Sequence, residues 1–233
     1  MRMRMMTQKF HEPFSPTILE TTVSDRFVDI VNDVSDDILS SDTKSKKWDW
    51  SNKLVGKVSK EILIPLTNEE DKLYLLKTVK QGCLDYLNYH IDIKRNNPWT
   101  KMRGAHADEI WMNNGKPQLD NIHLDHSWVV SQYAGEFNPY HHHNGDMSGG
   151  IYLKVPEGMN DEWDEDFQDH YPARGLIEYA YGETQSFRCD NLKFKPEVGK
   201  FLVFPSWLKH LVYPFSVEGE RRMMSFNATV INK

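Results

Sequence analysis

Eight short runs of β-branched, aromatic and aliphatic residues crowd the chain after residue 105, at 109–112, 124–133, 149–155, 176–181, 193–195, 201–204, 211–215 and 223–231. Turn-forming residues separate them. Strands this short and this closely spaced predict an antiparallel sandwich or jelly-roll barrel. No other feature of the 233 residues constrains the fold as much.

The residues before these runs have a different texture. Residues 17–23 are β-branched and extended. Ser24 and Asp25 suit a helix start, and Phe27, Ile30, Val31, Val34 and Ile38 follow at helical spacing to about residue 40. Residues 54–66 read as extended in part. A second helix is expected from Thr67 and Asn68, with Glu69, Glu70 and Asp71 in its first turn, where acids complement the helix dipole. It carries Leu73, Leu76, Cys83, Leu84, Leu87 and Ile91, and Asn97-Pro98 ends it. The fold class is therefore α+β and mainly β: a jelly-roll core with N-terminal helices packed on one face. We expect one domain over 1–233, with 1–104 a helical support region and 105–233 the β-barrel core that carries the site.

Composition narrows the function classes. Apolar residues make up 39% and charged residues 27%, and no apolar run approaches the ~20 residues a membrane helix needs. The N-terminus is basic without an apolar stretch behind it, unlike a secretory signal, and its four early Met residues leave the start codon open. Two cysteines make no disulfide framework, which suits a reducing cytoplasm. The balance of 28 basic and 34 acidic residues, net −6, argues against a nucleic-acid partner. Lys44, Lys46, Lys47, Lys53, Lys57 and Lys60 read as a solvated face. Segment 157–169 holds seven acids and reads as a surface loop, or as a lid that favours a cationic substrate. Oligomeric state leaves no mark on the sequence.

Histidine is the unusual count, at ten, and three are consecutive: His141, His142 and His143. On a strand, side chains at i and i+2 share a face, so His141 and His143 converge while His142 turns away. Neutral imidazoles suit Fe, Zn, Cu and Ni. Residues 199–210 (GKFLVFPSWLKH) read as a strand, a turn at Pro205 and then His210. Eleven residues later Arg221 opens the last strand, with Met223, Ser225 and Asn227 on the same face. A buried Arg there needs a carboxylate partner, either the protein's own or a bound diacid.

The order H-x-H at 141–143, SGGIYL at 148–153, FPSWLKH at 204–210, Arg221 and SFN at 225–227 resembles the Fe(II)/2-oxoglutarate-dependent oxygenases, in particular a bacterial and phage group related to the prolyl hydroxylases. The resemblance covers about residues 120–230. It implies a double-stranded β-helix that uses Fe(II), 2-oxoglutarate and O2 to hydroxylate a substrate, with release of succinate and CO2. His141 and His210 match the iron-binding histidines, and Arg221 matches the arginine that pairs with 2-oxoglutarate. The family usually places a carboxylate where this chain has His143. Either His143 is the third ligand, which the i+2 direction favours, or Asp146 reaches back from the following loop. Met223 replaces a residue that is often Ser or Thr, so Tyr133, Tyr152 or Ser225 would make that contact to the cosubstrate. The substrate is expected to be a peptide side chain such as proline, or a small molecule. Trp111, Trp128, Trp163 and Tyr181 line its groove or simply fill the core.

Two other classes fit parts of the pattern. Gly135 five residues before H-x-H, with Gly199, Pro205 and His210 at cupin-like spacing, suits a metalloenzyme without a keto-acid cosubstrate. That reading leaves Arg221 without a task. A non-catalytic jelly-roll binding module needs neither the metal nor Arg221.

Overall fold

The computed structural model describes residues 9–11, 16–51, 56–96, 116–164, 173–184, 186 and 189–231. The expected strand at 109–112, with Trp111, and part of the acidic segment lie outside the described residues.

Among the described residues, eleven strands form two antiparallel sheets. The major sheet has the order β1-β2-β9-β6-β11-β4-β3. Its strands are β1 (Lys9–His11), β2 (Ile18–Thr22), β3 (Lys60–Leu63), β4 (Ile122–Gln132), β6 (Met147–Lys154), β9 (Lys200–Pro205) and β11 (Arg221–Val230). The minor sheet, β5-β10-β7-β8, holds β5 (Asn138–His141), β7 (Ile177–Ala180), β8 (Asn191–Phe194) and β10 (Lys209–Val212). The two facing sheets make the jelly roll that the strand spacing predicts. Three strands of the major sheet, β1 to β3, come from residues before 105.

Helices cover the outer face of the major sheet. Helix α1 (Asp25–Leu39) starts where Ser24 accepts a hydrogen bond from the Phe27 N–H. Helix α2 (Asp42–Trp48), which periodicity does not signal, is capped by Ser41 in the same way and carries Lys44, Lys46 and Lys47 on a largely exposed surface. Helix α3 (Glu69–Asn96) begins with Asn68 accepting from the Glu70 and Asp71 N–H groups. Its buried stripe is Leu75, Val79, Cys83, Leu87 and Ile91, at four-residue steps, and Leu73 is 68% exposed. The expected stripe is thus right from Cys83 onward and wrong at Leu73, which lies about 200° around the helix from Leu75. Gly82 lets α3 approach β9: a Cβ there would meet the Phe201 ring at 2.4 Å.

Strand alternation divides the core in two. Met224, Phe226 and Ala228 of β11 pack under the helices with Phe27, Val31, Val79 and Phe201. Between the sheets lies a second cluster that includes Tyr152, Tyr179, Phe204, Leu208 and Met223. This inner cluster forms the floor of the site.

Candidate metal and cosubstrate site

The minor sheet delivers two of the histidines. In the antiparallel pair β5–β10, His141 and His210 are direct cross-strand partners, so their side chains leave the sheet on the same side. Their ring centroids are 4.3 Å apart. Strand β5 ends at His141, so His143 sits in the turn that follows rather than on a strand. Its backbone N–H donates to the Ser206 carbonyl at 2.9 Å, which ties the turn to the loop before His210. Gly145 reverses the chain at φ +88°, and a Cβ there would lie 2.9 Å from the Ala228 carbonyl oxygen. The turn brings His143 Nε2 to 3.2 Å from His210 Nε2. One nitrogen from each of His141, His143 and His210 lies within 4.8 Å of the others.

Hydrogen bonds aim two of these rings. His141 Nδ1–H donates to the Pro139 carbonyl at 2.8 Å, and His210 Nδ1–H donates to the Leu208 carbonyl at 3.0 Å. Each bond holds the proton on Nδ1 and leaves Nε2 as a lone pair, as metal-ligating histidines are usually held. Burial pushes all three imidazoles below the ordinary histidine value: His141 modestly, His143 to about 3 and His210 far down. At neutral pH the cluster offers uncharged nitrogen donors. His142, in the turn after β5, is exposed.

Asp146 does not join them. Its Oδ2 accepts from the Val230 N–H at 2.8 Å, and its backbone N–H donates to the Ala228 carbonyl. The reversal at Gly145 turns Asp146 toward the end of β11, so it secures that strand. Among the described residues, the potential metal-binding group comprises the three histidines alone.

Arg221 stands on the facing sheet, 2% exposed. Arg221, Met223, Ser225 and Asn227 all line one cavity of about 560 Å³ with the three histidines. Tyr152 is fully buried; its hydroxyl accepts from Arg221 Nη2 at 3.0 Å and its ring lies 4.9 Å from the guanidinium carbon. Tyr152 therefore positions Arg221, whereas the sequence pointed to a direct contact with cosubstrate. Ser225 lines the cavity as expected, and Tyr133 is 36% exposed and does not.

Two neighbours of Arg221 carry no signal in the sequence. Gln132 is its cross-strand partner on β4, and the Gln132 carbonyl accepts from Arg221 Nη1. Tyr179 of β7 is 1% exposed, with its ring 5.5 Å from His210. Three buried atoms here have no hydrogen-bond partner among the described residues: Arg221 Nε, Gln132 Nε2 and the Tyr179 hydroxyl. Arg221 also makes no ion pair with a described carboxylate. Buried donors left in this state are costly, so a ligand with several oxygens fits the site. The donor chemistry thus suits both groups that the resemblance implies: neutral imidazole nitrogens for iron(II), and a buried cation with free donors for a dicarboxylate.

The remaining candidates are scattered. Trp128 lines the cavity. Trp163 donates to the Arg174 carbonyl, while Tyr181 lies tilted against exposed Trp207 with ring centroids 5.6 Å apart. In the acidic segment Glu162 is 3% exposed and accepts the Ser216 and Val217 N–H groups, so it secures a loop and does not present charge to a substrate.

Comparison with known proteins agrees with this geometry. Residues 126–227 match a family described as "Putative 2OG-Fe(II) oxygenase". The fold is similar to that of AviO1 from Streptomyces viridochromogenes Tue57, at 10% identity and a TM-score of 0.53, over 91% of this chain and 89% of that one. A prolyl-4-hydroxylase from Pseudomonas putida aligns at 14% identity and a TM-score of 0.48, over 90% of this chain and 91% of its own. A prolyl hydroxylase from Trichoplax adhaerens, in complex with a hypoxia inducible factor oxygen degradation domain peptide fragment, aligns at 15% identity and a TM-score of 0.48, over 91% and 82%. No curated protein matches the chain.

The fold and the matched segment first define a class, the Fe(II)- and 2-oxoglutarate-dependent oxygenases on a double-stranded β-helix. Residues 126–227 match the 2OG-Fe(II) oxygenase family of that description. The matched description is that of an oxidoreductase that uses iron(II) and 2-oxoglutarate. No helix among the described residues is long and apolar enough to cross a membrane.

Proposed function

We propose that His141, His143 and His210 hold the iron(II), and that Arg221 binds a carboxylate of 2-oxoglutarate in the same cavity. One observation carries this reading. Arg221 is a buried cation without a carboxylate partner among the described residues, and it opens on the cavity that the three histidines also line. A cupin-type metalloenzyme would leave that charge unneutralised.

Bound iron(II), with 2-oxoglutarate and O2, supplies the oxidising equivalents that hydroxylate a substrate C–H bond and release succinate and CO2. The chain's own residues do the rest. The carbonyls of Pro139 and Leu208 keep His141 and His210 in the ligating tautomer. Tyr152 and Gln132 hold the guanidinium in one orientation, so a planar carboxylate meets a preformed fork. Gln132 Nε2 and the Tyr179 hydroxyl are free to donate to its oxygens. Val130, Ile177, Phe204, Val212 and Met223 give the cavity apolar walls that exclude water around the reacting groups. His143 replaces the usual carboxylate, so the ligand set adds no negative charge of its own.

We further infer that the whole chain acts as one oxygenase unit, because β1 to β3 extend the sheet that carries Arg221. The substrate is a peptide side chain or a small molecule. Two free cysteines, Cys83 and Cys189, support a reducing, cytoplasmic setting.

The test is an anaerobic titration of metal-free protein with Fe(II) and then 2-oxoglutarate, followed by the visible charge-transfer band of a chelated keto acid. Saturation near one equivalent supports the reading. Iron binding without the band would favour the cupin arrangement, and no iron binding would sink the histidine assignment.

A further inference from the structure

The site cavity continues past Trp128 to a second buried ionisable side chain, Glu61. It belongs to β3, at the edge of the major sheet, opposite Val130 of β4. Its residue is 5% exposed and lines the same cavity as Arg221. Between the two run β4 and its inward residues Trp128, Val130 and Gln132. Two strand spacings and a two-residue offset put the backbone positions of Glu61 and Arg221 roughly 12 Å apart. Among the described residues no ion pair joins the two.

The Glu61 carboxyl has one side-chain hydrogen bond, from the Trp128 indole, and no cationic partner among the described residues. The nearest formal charge acting on it is another acid, Asp49. Aromatic faces stand beside it. Trp50 is tied to the Glu61 backbone by its N–H, at 2.9 Å, and stacks on His126 with centroids 5.5 Å apart. Trp50, His126 and Trp128 all line the cavity, with Asp125 nearby. A carboxyl walled by indoles is a receptor for an organic cation, which gains both the charge pair and the π faces.

We propose that Glu61, with Trp50 and Trp128, forms the specificity subsite of this oxygenase and takes a cationic nitrogen of the substrate, an alkylammonium or guanidinium group. The reacting end rests on the assignment of the histidines and Arg221 above; the cation subsite does not need the metal. The cavity is then bipolar, with the anionic cosubstrate at Arg221 and the cationic end of the substrate at Glu61. Burial already pushes the Glu61 carboxyl up to about 8, and a bound cation would restore its ionised form.

The probes are Nα-acetyl-lysine N-methylamide and Nα-acetyl-arginine N-methylamide, with Nα-acetyl-norleucine N-methylamide as the uncharged control. Each is titrated into the full metal-free chain and followed by tryptophan fluorescence, since two indoles flank the carboxyl. At least one cationic probe is expected to bind saturably, and the norleucine probe at least about tenfold more weakly, a modest value for removing one partner of a buried charge pair. Glu61→Gln should lose at least the same factor, Glu61→Asp should recover part of it, and both should take up Fe(II) and 2-oxoglutarate as the parent does. Equal binding of the cationic and norleucine probes, no binding of either cationic probe, or unchanged binding by a folded Glu61→Gln variant would each overturn the proposal. Arg221→Met should bind the cationic probe normally, so a failure at the cosubstrate end is read separately.

Discussion

Arg221 and Arg222 are consecutive on β11, and both are almost wholly buried, at 2% and 1% exposed. Strand alternation sends them to opposite faces of the major sheet. On the helix side, Arg222 is fully engaged. Glu220 grips it with two oxygens at 2.7 and 2.8 Å, Asp36 of α1 accepts at 2.7 Å and Asn32 at 3.0 Å. Lys154 closes the network on Asp36. On the cavity side, Arg221 has only neutral contacts, from Gln132 and Tyr152, and its Nε has no partner among the described residues. The two residues share chemistry and burial and differ in who supplies the anion. The helix face completes its own electrostatics and locks α1 to the sheet. The cavity face is left incomplete, as a binding site must be.

Four expected outcomes would break or sharpen that contrast. The largest concerns the cluster facing Arg221. His210→Ala should lose more than the roughly 10–100-fold in metal affinity that changes outside the ligand set cost, and Asp146→Ala should keep full Fe(II) stoichiometry in the same anaerobic titration. Iron retained by the His210 variant would overturn the histidine site, and iron lost by the Asp146 variant would make Asp146 the third ligand.

Next come the two arginines. Arg221→Met should weaken 2-oxoglutarate binding by about 2–5 kcal/mol while leaving urea stability nearly unchanged or higher. Arg222→Met should do the converse, lowering stability by about 2–4 kcal/mol with normal 2-oxoglutarate affinity in the folded fraction. Denaturation and calorimetric titration of the two variants side by side decide it. Similar stability losses in both would mean that Arg221 is structural too.

A smaller effect is expected from pH. Desolvation raises the Glu61 carboxyl from 4.5 to about 8, and the Asp49 charge adds to this while the Trp128 N–H opposes it. Folded Glu61 therefore stays protonated where the unfolded chain ionises. Its contribution is complete below about pH 4.5 and is lost as pH rises toward 8. The melting temperature of Glu61→Gln, compared with the parent, should rise by several degrees between pH 5 and pH 8. A gap independent of pH would show that Glu61 is ionised in the folded protein.

The smallest effect belongs to Asp146. Losing its hydrogen bond to the Val230 N–H should cost about 1 kcal/mol in thermal or urea unfolding, without touching the cavity. A loss of 2-oxoglutarate binding in that variant would place Asp146 in the site.

Much of this was legible because local chemistry carries it. Ser24 and Asn68 mark the starts of α1 and α3 since their oxygens accept helix N–H groups. The same signal at Ser41 marks α2, but seven residues with no buried member show no periodicity. His141, His210 and Arg221 could be read from short motifs. His143 stands beside His141 and His210, but not for the reason that strand alternation gave. The strand stops at His141, and the turn to Ser206 and Gly145 brings His143 inward, not simple alternation. Gln132, Tyr179 and Glu61 could not be found in this way. Gln132 and Glu61 reach the cavity from β4 and β3, Tyr179 stands beside His210 from β7, and their distance along the chain from residues 141 and 221 hides the contact.

The sequence by itself determined the alternating strands, the helix starts, the histidine spacing and the placement of Arg221 and Arg222 on opposite faces. These follow from dihedral preferences and side-chain period, which act over a few residues. Only the tertiary structure decided that Asp146 secures β11, that Arg222 is neutralised while Arg221 is not, and that Glu61 shares a cavity with Arg221 and the three histidines. Those are questions of pairing between distant strands, settled by which faces the folded sheets bury together.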